Sequence, residues 1–156
     1  MRQTIFPKRN HEPYYIFGYS FFIHFFWEMW QMPLFEFSES SDLLAMNWMC
    51  TQASLGDGVI AVLAYYFVCF VKKGPWLSSA ATIGDMILFL VPGIVLTIVM
   101  EYLNTLILFR WAYGSLMPVI PGLNIGLAPF LQWLIIPPLV YLACKKKTES
   151  SLSLNG

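Results

Sequence analysis

Long apolar blocks alternate with short polar connectors along the chain, and each block approaches the roughly 20 helical residues needed to cross about 30 Å of hydrocarbon. The pattern predicts four such helices, over 14–32, 47–71, 85–109 and 125–144. Pro33 marks the end of the first, because proline disfavours the helical conformation of the residue before it. Pro92 and Gly93 fall inside the third and predict a kink there. The fourth contains Pro129, Pro137 and Pro138, which predict a start near Ala128 and an irregular last turn. Between the helices lie an acidic connector (34–46, with Glu36, Glu39 and Asp42), a basic turn (72–79, with Gly74 and Pro75) and a longer loop (110–124) punctuated by Pro118, Pro121 and Gly122. The expected fold is all-α: a four-transmembrane-helix bundle forming one domain over 14–145. Tails 1–13 and 146–156 flank it, the polar stretch from 148 being disordered.

Composition supports the membrane assignment. Hydrophobic residues make up 58% of the chain and charged residues 12%, against about a quarter charged in soluble domains. The charges are also sorted. Arg2, Lys8 and Arg9 precede the first helix, Lys72 and Lys73 follow the second, and Lys145, Lys146 and Lys147 follow the fourth, leaving only Arg110 on the other side. The positive-inside rule then places both termini in the cytoplasm, with a bacterial inner (plasma) membrane ahead of a eukaryotic organelle as the location of this multi-pass protein. The basic residues before the first block resemble a signal peptide, but no small-residue cleavage site follows and the block reads as a retained helix. No basic stripe suits nucleic acid. Cys50, Cys69 and Cys144 lie in different segments and form neither a disulfide framework nor a thiolate metal motif.

With that orientation, polar residues of all four helices fall in the outer half of the membrane. His24, Glu28 and Gln31 share one face of the first helix at spacings of four and three. Thr51, Gln52, Ser54 and Asp57 lie on the second, Glu101, Asn104 and Arg110 on the third, and Gln132 on the fourth. The inner half holds little beyond Asp85 and small hydroxyls. This sorting predicts one polar site inside the bundle, because intramembrane ionisable residues face the interior and pair. Candidate catalytic residues are His24, Glu28, Asp57 and Glu101; candidate ligand-binding residues are Gln31, Gln52, Asn104, Arg110 and Gln132. Glu28 is expected to meet His24, Arg110, Asn104 or another carboxylate.

Each candidate also has a plainer role. The amides can serve as interhelical hydrogen bonds alone. His24 and Glu28, at i and i+4, supply either two metal ligands or an acid/base pair whose carboxylate orients the imidazole, and the sequence fixes neither a metal nor a cofactor. His11 lies outside the membrane, which argues against bis-histidine haem ligation. The stretch SLGDG, 54–58, reads either as close helix packing or as a carboxylate open to a ligand; no GKS or GKT follows to make a phosphate loop. Trp111 and Tyr113 fit an interfacial aromatic belt, while Arg110 either snorkels or clamps an anionic head group.

WEMWQMP from Trp27, SLGDG from Ser54, Glu101, and RWAYGSLMP from Arg110 together resemble a class of small four-helix bacterial inner-membrane proteins. The resemblance covers most of the chain from Tyr14 to Lys145 and implies the fold; it carries no catalytic residues across. In chemistry alone, a histidine and carboxylates around an apolar pocket, the chain also resembles emopamil-binding-type sterol isomerases. Three functional classes fit the pattern: an intramembrane enzyme acting on a lipid or isoprenoid from the outer leaflet, a proton-coupled transporter component, and a small structural or assembly subunit of a membrane complex.

Overall fold

The computed structural model describes residues 11–36, 42–77 and 81–153, with side chains as far as Lys145. Arg2, Lys8, Arg9 and Glu39, and the side chains of Lys146 and Lys147, lie outside the described residues. Four helices dominate: α1 Glu12–Gln31, α2 Leu43–Lys72, α3 Ile83–Tyr102 and α4 Leu127–Ser153. The chain is therefore all-α in its main architecture, as expected. Three of the helices, α2, α3 with its extension to Ile107, and α4 to Lys145, are long and apolar enough to cross a membrane. α1 has the length but carries His24, Glu28 and Gln31, which lower its apolar content.

Local chemistry sets the helix ends. α1 opens with Glu12 in its first turn, where a carboxylate meets the positive end of the helix dipole, and with Pro13, which needs no amide donor there. Asp42 caps α2 by accepting from the Ala45 amide at 2.7 Å. α2 ends with Lys73 in the left-handed conformation, while the Gly74 amide returns to the Cys69 carbonyl. Thr82 and Asp85 form a reciprocal capping box at the start of α3. Asp85 also pairs with Lys72 at 3.0 Å, so the one inner-half carboxylate singled out in the sequence is a helix cap tied to the neighbouring helix.

Helix α3 continues through Pro92, and a π-helical turn follows over Leu103–Ile107, in which the Leu108 amide reaches the Leu103 carbonyl at 2.8 Å. Such wide turns recur at functional sites. Helix α4 continues through Pro137 and Pro138 to Ser153, so most of the stretch expected to be disordered is helical. The long connectors also carry four two-residue strands: β1 Phe35–Glu36, β2 Ala112–Tyr113, β3 Val119–Ile120 and β4 Ile125–Gly126. Antiparallel pairing of β1 with β2 sets Phe35 opposite Tyr113 and joins the two connectors across the bundle; β3 pairs with β4.

The helices stand in a ring in which α1 neighbours α2 and α4, and α3 neighbours the same two. One end of the ring holds the α2–α3 turn, the start of α1 and the end of α4; the other holds the strands. The turn half is solid. Ile16, Ala61, Ala64, Tyr65, Val68, Phe89, Ile136, Val140 and Cys144 pack there, with Trp76 of the turn folded back beneath them. Trp76 stacks on Tyr141 at 5.9 Å and donates to the Tyr65 carbonyl. The buried Tyr65 donates its hydroxyl to Glu12, joining α2 to the first turn of α1, a polar link the sequence reading did not single out.

Candidate functional site

The strand half of the ring is hollow. A cavity of about 270 Å³ lies there, lined by eight of the nine candidate residues: Glu28, Gln31, Gln52, Asp57, Glu101, Asn104, Arg110 and Gln132. His24 is the exception. It is fully buried and stands behind the cavity wall.

Gln132 is the hub. Its side-chain nitrogen lies 3.0 Å from Glu28 Oε1, 3.4 Å from Asp57 Oδ2 and 2.8 Å from His24 Nδ1, so one amide from α4 binds α1 twice and α2 once. Its oxygen accepts from Gln31 Nε2 at 3.4 Å, and Gln31 in turn accepts from the Trp27 indole. His24 Nδ1 is also 3.1 Å from Asp57 Oδ2. The imidazole is therefore held by Asp57 across the bundle and by Gln132, not by Glu28 one turn along its own helix. Glu28 meets Gln132, a partner not foreseen from the sequence.

Turning the Gln132 amide over would aim its oxygen at two carboxylates, so its nitrogen faces them. A single hydrogen between His24 Nδ1 and Asp57 Oδ2 serves that contact.

Trp133, beside the hub, donates its indole N–H to Asp57 Oδ1 at 3.3 Å and lies 5.1 Å from the His24 ring. The sequence reading missed it, although an indole N–H next to a glutamine in an apolar helix is a donor in need of a partner. Gly93 of α3 gives it room: a β-carbon there would fall 1.9 Å from the Trp133 ring.

The opposite wall is α3. Glu101, buried, accepts from the Tyr113 hydroxyl at 2.5 Å. Burial, and then the bond to Glu101, push the Tyr113 phenol above its ordinary pKa, so it stays a donor. Tyr113 is the residue that β2 sets against Phe35, so the strand pair positions a donor to the cavity carboxylate. Asn104 lies on the π-helical turn; its nitrogen donates to the Met100 carbonyl, while its buried Oδ1 has no partner. Arg110 is exposed, lines the cavity and makes no ion pair among the described residues. Gln52 is exposed at the edge. The described residues contain no group of three His, Cys, Asp or Glu placed to hold a metal ion.

Comparison with protein-family models, curated proteins and solved structures finds no match. Function is argued from the cavity itself.

The two glycines of SLGDG divide the two roles considered for that stretch. Gly58 packs on α1, where an added β-carbon would lie 3.0 Å from the Phe17 ring; Gly56 lines the cavity and has nothing within 4 Å. Gly58→Ala is expected to lower the melting temperature measurably, whereas Gly56→Ala is expected to leave it unchanged or raise it slightly, since alanine favours helix over glycine by about 1 kcal/mol. Thermal unfolding of both variants in detergent checks this, and equal shifts would contradict the division.

Proposed function

We propose that the protein is an intramembrane enzyme that admits a lipid or isoprenoid sideways into the hollow half of its bundle and acts on it by proton transfer. The observation that carries this reading is where the cavity opens. Its exposed lining residues are Gln52, Ala53 and Gly56 on α2, Leu96 and Met100 on α3, and Arg110 beyond α3, so its mouth lies along the α2–α3 seam. In a bilayer that seam faces acyl chains. Glu28 and Glu101, on facing walls, are the acid and base. Asp57 pairs with His24, which acts through Asp57 without touching the substrate. Arg110 receives the head group.

On this reading α1 crosses the membrane too. It carries an apolar stripe of Phe22, Phe26 and Trp30, all exposed, opposite its buried stripe of Ile16, Ser20 and His24. Soluble monomers seldom expose apolar patches beyond a few hundred Å². Lys72, Lys73 and Lys145 at the turn end support a cytoplasmic side for it by the positive-inside rule. A cysteine at Glu36 is then expected to react with an impermeant reagent added outside cells, and one at Lys73 only after the membrane is opened; the reverse pattern would invert the assignment. A transporter would need a polar route through the turn half, which apolar side chains fill.

Lipid extracts of cells making the wild type, no protein, or Glu28→Gln test the reaction. One lipid or isoprenoid species is expected to depend on the wild type and to lose its conversion with Glu28→Gln by about 100-fold or more, the usual scale of a general acid/base, while the variant stays folded. Gly56→Trp, at a mouth position where an added β-carbon meets nothing within 4 Å, is expected to do the same. Identical lipids in all strains would remove the enzyme reading and leave a structural subunit.

A further inference from the structure

The balance of donors and acceptors around the cavity points to the head group it takes. Three carboxylates, Glu28, Asp57 and Glu101, line it with a single cation, Arg110. Gln132 is shared between Glu28 and Asp57, Trp133 binds Asp57 and Tyr113 binds Glu101, while the buried indole N–H of Trp111, also on the cavity wall, has no partner. One further acceptor is unserved. Asn104 is 2% exposed and lines the cavity, yet its Oδ1 has no hydrogen-bond partner. A buried amide oxygen without a donor is costly, so it awaits an N–H or O–H from an occupant.

We propose that the occupant is the head group of an aminophospholipid, with a primary ammonium set among Glu28, Glu101 and Asn104 Oδ1 and its phosphate on Arg110. The inference rests on the reading of the cavity as a lateral lipid site and names the class of lipid. A primary ammonium offers three N–H donors and a positive charge to the Glu28 and Glu101 carboxylates and the Asn104 oxygen. A quaternary choline offers the charge without the donors, and a glycerol head offers donors without the charge. The guanidinium then has its own complement in the phosphodiester, which it binds through two parallel N–H groups.

Size agrees. At about 270 Å³ the cavity falls just below the range of roughly 300–1,000 Å³ that encloses drug-sized ligands. It has room for a head group and not for two acyl chains. These leave through the seam past Gly56 and Leu96, where the wall is exposed.

The test is competitive retention by the purified, delipidated full-length protein, read by native mass spectrometry with dioleoyl phosphatidylethanolamine, phosphatidylcholine and phosphatidylglycerol in equal amounts. Phosphatidylethanolamine is expected to be retained about 10-fold over either of the others, and Asn104→Leu and Glu101→Gln are each expected to reduce that preference several-fold. Arg110→Gln, at an exposed side chain outside the packed core, is expected to weaken phosphatidylethanolamine but not oleylamine, which has the ammonium and lacks the phosphate. Gly56→Trp is expected to abolish retention of both. Retention of phosphatidylglycerol or phosphatidylcholine equal to phosphatidylethanolamine, still blocked by Gly56→Trp, would overturn the head-group assignment and leave the lateral site standing. Retention of every lipid unchanged by Gly56→Trp would overturn both.

Discussion

Gly93→Ala is expected to lower the melting temperature by roughly 5 °C or more, although it adds one methyl group to a helix that favours alanine. The added carbon would occupy the space of the Trp133 ring at 1.9 Å. Trp133 is 1% exposed and lines the cavity, so the indole can yield only by leaving its packed place and intruding on that space. Overpacking a filled interior costs about 1–3 kcal/mol. The displaced indole also releases Asp57 Oδ1, at about 0.6 kcal/mol for a typical interhelical bond. Thermal unfolding in detergent, with Gly56→Ala as the comparison, measures this; similar melting temperatures for the two variants would mean that Trp133 does not rest on Gly93. On the enzyme reading, the same substitution is expected to lower activity beyond its effect on folding, because it removes a hydrogen bond that positions Asp57.

Gln132→Leu is expected to be the most damaging change to a single polar group in the bundle. It takes a donor from Glu28, Asp57 and His24 together, and an acceptor from Gln31. Each buried group left unpaired costs about 1–3 kcal/mol, and charged groups cost more, so a loss of roughly 3 kcal/mol is expected after the neighbours relax. Gln52→Leu, at an exposed position on the cavity edge, is expected to stay within about 0.5 kcal/mol of wild type. Adding Glu28→Gln to Gln132→Leu is expected to recover part of the loss, since a neutral amide is cheaper to bury than a carboxylate. Additive losses in the double variant would show that Glu28 and Gln132 act independently.

How much of this was legible in the sequence depends on the kind of interaction. The helices are set by runs of apolar residues and local caps, so their number and approximate limits could be read directly; Asp42, Thr82 and Pro33 lie where such signals belong. That polar residues gather toward one end was legible from depth alone, because a helix rises steadily with residue number. Which group meets which was not. His24 and Glu28 share a helical face, yet each finds its partners on other helices, since rotation of α1 about its axis is decided by packing against α2 and α4. Trp133 went unassigned and Tyr113 was read only as interfacial, because aromatic residues in apolar helices and their loops have a sufficient apolar or interfacial reason to be there. The strand pairs were invisible: two residues give no alternation to detect, and β1 meets β2 only after the bundle has brought distant connectors together.

The scarcity of apolar length in α1 has a consequence for how the chain is made. Placed in a bilayer, its polar face has its partners on Asp57 of α2 and Gln132 of α4, and α4 leaves the ribosome last. In the folded chain the first helix is tied to α2 through the Tyr65–Glu12 bond and the Gly58–Phe17 contact, and to α4 through Gln132. A chain halted before residue 127 therefore has the α2 contacts without the hub, and its Glu28 is left without the partner that the finished ring supplies.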